Sequence, residues 1–139
     1  MGQQQLLLVI LVTIIVGIAT VVAINTFGAA ADSANLDAVR QDMGSIAASA
    51  QGYYMKPEML GGGGKSFADM SFNDLAFGGT IVSNTVAYNE NGTYELGTGS
   101  AASISLTADP ASGTGYIEGQ TGNADNTLTA TILPDNLSF

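Results

Sequence analysis

Hydrophobic residues are distributed along this chain in three successive regimes. From Leu6 to Ile24 it reads LLLVILVTIIVGIATVVAI, apolar at nearly every position and free of charge. Such a run describes a helix that is hydrophobic on all sides. From Leu36 the apolar positions are Leu36, Val39, Met43, Ile46, Ala50 and Tyr53, in steps of three and four that trace one helical face. Asp37, Arg40, Gln41 and Ser45 fall on other faces. Asp32, Ser33 and Asn35 would supply a cap if the helix broke near Gly28. The pattern instead predicts one unbroken helix of about 80 Å that ends near Tyr54, because Pro57 disfavours helix in Lys56.

Beyond Pro57 the period changes. Gly61-Gly62-Gly63-Gly64 marks a loop, read as a flexible connector. Phe67, Met70, Phe72, Leu75 and Phe77 then supply anchors for packing that segment onto the helix. Strands are predicted at 80–82, 85–88, 93–96, 103–107, 116–118 and 127–133, several with alternating apolar and hydroxyl residues. Asn89-Glu90-Asn91-Gly92 is a hairpin turn, since Asn and Gly tolerate positive φ. Asp109–Gly113 and Gly122–Asn126 are further turn clusters. The expected fold class is α+β: a long N-terminal helix packed on a small antiparallel sheet. Its hydrophobic first half covers residues 1–28 and its amphipathic second half 29–56. A Gly-rich connecting loop (57–79) and the sheet domain (80–139) follow.

Charge narrows the function. The 139 residues carry a formal net charge of -9, with Arg40, Lys56 and Lys65 the only basic side chains. Direct nucleic-acid binding is therefore not expected, because no basic patch exists to neutralise phosphates. Cysteine and histidine are both absent, which removes disulfides, thiolate metal sites and the usual general base.

The fourteen large aliphatics between Leu6 and Ile24 represent more than about 20 kcal/mol of burial as an upper estimate. That surface belongs in lipid, or in a core built with other chains. Leu6, Leu7, Leu8, Ile10, Leu11, Ile14, Ile15, Ile18, Val21 and Val22 are the candidate polymerisation residues. Gly17 has two readings, close helix packing or, with Thr20, a local melt of the helix.

The residues support other chemistry less well. Gly61–Ser66 imitates a phosphate-binding loop, but Met59 stands where that motif needs its first glycine. The pairs Asp69/Asp74 and Glu90/Glu95 lack an aromatic substrate cleft, so no enzyme is expected and no cofactor is implied. Asp109, Asp125 and Asp135 have no EF-hand spacing and read as turn residues rather than calcium ligands. Asn91-Gly92-Thr93 and Asn136-Leu137-Ser138 match the N-glycosylation acceptor pattern, making Asn91 and Asn136 candidate modification sites.

The stretch QQQLLLVILVTIIVGIATVVAI, its amphipathic continuation DAVRQDMGSIAASAQGYYMKP and the following GGGGKSF together resemble the type IV pilins and pilin-like proteins. The resemblance implies a precursor held in the inner membrane, leader removal and handling by assembly machinery. It further implies a homopolymer of many copies exposed as an extracellular, adhesive filament. Pilins commonly carry a glutamate early in the helix that pairs with a neighbour's terminal amine. With Met1 taken as the processed N-terminus, Gln5 stands there, so Met1 and Gln5 become the candidate register residues. A kinking proline common in the family is replaced by Val22. The main expectation is a major pilin. The alternative is a minor pilin or pseudopilin-like component, anchored in the membrane and serving secretion or DNA uptake.

Overall fold

The computed structural model describes residues 2–139. The chain divides into two compact units, Met1–Ala34 and Asn35–Phe139. Helix α1 runs from Gly2 to Met55 as one element, ending one residue beyond Tyr54. Its residues up to Ala34 form the first unit and the remainder belongs to the second.

In the second unit α1 buries Val39, Met43, Ile46, Ala47 and Ala50, the face expected from the three-and-four spacing. They meet the apolar side of a six-stranded antiparallel sheet in which every strand pairs with its sequence neighbour. The strands are β1 (Thr80–Ile81), β2 (Val86–Tyr88), β3 (Gly92–Leu96), β4 (Ile104–Pro110), β5 (Leu128–Ile132) and β6 (Leu137–Ser138). Tyr94, Leu96, Ile104, Leu106, Ala108, Ala130 and Ile132 line the covered face. Alternation along β3 and β4 turns Thr93, Glu95, Ser105 and Thr107 to the other face.

The segment after α1 is a cap. The N–H groups of Gly63 and Lys65 donate to the carbonyls of Tyr53 and Tyr54, both at 2.8 Å, and Gly64 N–H reaches Lys56 O at 3.0 Å. Orphan carbonyls at a helix end need such partners. Gly61, at φ 81°, closes a short 3-10 turn at Glu58–Leu60, a conformation that glycine adopts without strain. The tetrad is thus bound to the helix end rather than being a free connector. Phe67, Met70, Phe72 and Leu75 are buried beyond it, with Phe67 stacked on Tyr54 at 4.9 Å between ring centroids.

Three strand expectations are revised. Residues 116–118 form no strand. They lie in a long β4–β5 connection, where Tyr116 meets the hydroxyl of Thr93 at 3.2 Å and Gly119 N–H donates to the same oxygen at 3.0 Å. Side-chain bonds hold this strap on the sheet in place of a strand ladder. Asp109 and Pro110, expected in a turn, close β4 instead. A short strand at Leu137–Ser138 extends the sheet beyond β5.

Candidate assembly surface

In the first unit, α1 exposes its aliphatics on every side. From Leu6 to Ile24 each large apolar side chain is more than half exposed in the single chain, from Val12 at 51% to Leu7 at 66%. No Asp, Glu, Lys or Arg occurs before Asp32. The helix is long and apolar enough to cross a membrane by length and composition. Within the run the hydroxyls of Thr13 and Thr20 donate to the carbonyls of Val9 and Val16, both at 2.8 Å. Just beyond it Thr26 donates to Val22 O at 2.9 Å. Each therefore satisfies itself on its own helix, the arrangement that an apolar medium requires.

All ten candidate polymerisation residues lie on this segment. Gly17 and Thr20 are helical in the single chain, and a Cβ at Gly17 would meet nothing within 4 Å. The melt expected there concerns assembled subunits. Gln5 is exposed in the first turns of α1, whereas Met1 lies outside the described residues.

The second unit holds a polar centre that the periodicity does not reveal. Asp42 sits beside the apolar stripe of α1. Its Oδ2 accepts from Asn89 Nδ2 at 2.9 Å, Asn91 Nδ2 at 2.7 Å and the Tyr94 hydroxyl at 2.7 Å. Seven residues earlier on α1, Asn35 donates to Asn91 O at 2.9 Å and accepts from Ser112 N–H at 3.1 Å. The two side chains clasp the β2–β3 hairpin to the helix. Burial pushes the Asp42 carboxyl up, but the bonds from Asn91, Asn89 and Tyr94 outweigh it and hold the group below its ordinary value of 3.8. The Tyr94 hydroxyl is pushed up, first by burial and then by its bond to Asp42. The signal that could have found this centre was a polar pair, Asn35 and Asp42, two turns apart beside an apolar face.

The remaining candidates are dispersed. Asp109 is fully buried and holds the strap, accepting from Asn123 N–H, Ala124 N–H and the Thr127 hydroxyl at 3.0, 3.2 and 2.7 Å. Asp74 caps a 3-10 turn through the amide and hydroxyl of Ser71, and Glu95 accepts from Thr121. Among the described residues no group of three or more acidic side chains is arranged for a metal. Among the described residues no strand precedes the glycine tetrad, and its amides are already bonded, Gly61 and Gly62 to the carbonyls of Glu58 and Pro57, Gly63 to that of Tyr53 and Gly64 to that of Lys56. Of the two acceptor motifs, Asn91 has its amide nitrogen on Asp42, whereas Asn136 is exposed on the β5–β6 turn with its Oδ1 bound to Leu137 N–H at 2.8 Å.

No family model, no curated protein and no solved structure matches the chain. What is pilin-like is the architecture, a long N-terminal apolar helix joined to an antiparallel sheet. The apolar helix suggests membrane association or secretion.

Proposed function

We propose that this chain is the repeating subunit of an extracellular type IV pilus-like filament, held in the inner membrane before assembly. One observation carries the reading: fourteen large aliphatics on one helix, each more than half exposed in the isolated chain. Water is the wrong solvent for that surface. A bilayer suits it, and so does a bundle of identical helices. The acidic, hydroxyl-bearing sheet unit is suited to water, and the polymer would carry it outward. Leader processing and assembly machinery would act before polymerisation, and no cofactor or nucleic acid enters the scheme.

Fractionation followed by electron microscopy of sheared surface material tests the reading. The chain should stay with membranes until detergent is added, and the sheared fraction should contain filaments built from it. Membrane retention without filaments would overturn the polymer and leave an anchored, minor component.

A further inference from the structure

Asn91-Gly92 is the only Asn-Gly step in the chain, and it lies in the clasp. Such a step is chemically labile, because glycine offers no side chain to obstruct attack by its own peptide nitrogen. That nitrogen adds to Asn91 Cγ, the Cγ–Nδ2 bond breaks, and ammonia leaves carrying the peptide proton. Water then opens the succinimide to aspartate or isoaspartate at position 91.

Packing imposes the dipeptide. A Cβ at position 92 would run into the backbone carbonyl of Asp109 across the β3–β4 pair, so that position requires glycine. Residue 91 must in turn donate an amide to Asp42. The same contacts keep the reaction from starting. Gly92 N–H donates to Asn89 Oδ1 at 3.2 Å, and Asn91 N–H shares that acceptor at 2.9 Å. Asn91 O receives Asn35 Nδ2 and Ala111 N–H, both at 2.9 Å. Asn91 Nδ2 is held on Asp42, so Cγ cannot turn toward the Gly92 nitrogen without breaking the clasp.

We propose that Asn91 is a deamidation site under conformational control. The closed clasp protects it, opening exposes it, and the carboxylate then formed faces Asp42 and prevents reclosure. Deamidation would mark irreversibly any copy of the chain whose hairpin has left its helix. The inference stands independently of whether the chain polymerises.

Peptide mass spectrometry of the full chain, incubated in detergent micelles at mildly alkaline pH, reads the reaction directly. Asn91 should persist in the native protein, convert readily in urea, and convert about tenfold faster or more in native Asp42→Ala than in the parent. Equal rates in native and urea-unfolded parent protein would overturn the proposal. Because Asp42→Ala risks unfolding, a charge exchange provides a second route. Asn91→Asp should lower the apparent Tm by roughly 5 °C or more. Asp42→Asn combined with Asn91→Asp should recover much of that loss, since the amide and the carboxylate merely change sides. An Asn91→Asp variant as stable as the parent, or an exchange no better than Asn91→Asp alone, would overturn it.

Discussion

Tyr94 reaches from the middle of β3 to donate its hydroxyl to Asp42 on α1 at 2.7 Å, while its ring lies edge-on to Phe77 at 5.5 Å. One side chain thus serves both the apolar core and the polar clasp. Removing only the oxygen separates the two roles. Tyr94→Phe should cost about 1–2 kcal/mol and Asp42→Ala about 2–3 kcal/mol, because the second change strips the acceptor from three donors. Urea denaturation of both variants and of the double variant checks this. The pair should be clearly non-additive.

Acid should loosen the clasp in a defined direction. Asp42 titrates below its ordinary value of 3.8 in the folded chain, so its contribution is fully present above the unfolded value. That contribution declines as pH falls through the lower, folded value. Thermal melts between about pH 6 and pH 2 should therefore show a loss that Asp42→Asn largely removes.

The strap offers a separate test of a buried carboxylate. Asp109→Ala removes the acceptor for two backbone amides and one hydroxyl. It should destabilise the second unit by about 1–3 kcal/mol. Hydrogen exchange should rise first in residues 111–127, before the β3–β4 ladder is affected. Uniform acceleration across the sheet would show that the strap is not an independent element.

A charge in the apolar run should act on assembly. Ile14→Asp places a carboxylate among residues with no cation nearby in sequence, at a cost of about 3 kcal/mol in the membrane. Filament yield should collapse while the folded second unit, followed by its denaturation curve, is unchanged. Normal filaments from this variant would exclude a buried helix bundle.

Much of the fold was legible because its largest signals are local. Fourteen large aliphatics within nineteen residues and the repeat through Val39, Met43, Ile46 and Ala50 specify a helix and its covered face without reference to anything else. Ile104 and Leu106 likewise declare their side of β4 by alternation. What escaped depends on distant partners. Tyr116-Ile117 has strand-like residues, but Tyr116 bonds a threonine hydroxyl in β3 instead of a neighbouring strand. Leu137–Ser138 is too short to show any period, and it becomes a strand through its pairing with Thr131 and Ile132. Asp42 is one carboxylate among twelve acidic residues until the hairpin folds against it.

The threonines of α1 have a consequence for how this helix can move between surroundings. Because Thr13 and Thr20 each bond back to their own turn, no side chain from Leu6 to Ile24 demands a polar partner from outside. Lipid tails and the flank of another helix are then equivalent neighbours as far as hydrogen bonding is concerned. Transfer of the intact helix from one to the other breaks none of these bonds and strands no hydroxyl. Shape alone is left to choose between them. Hydrogen bonding thus leaves the segment indifferent to either medium, and any selectivity between neighbours must come from packing.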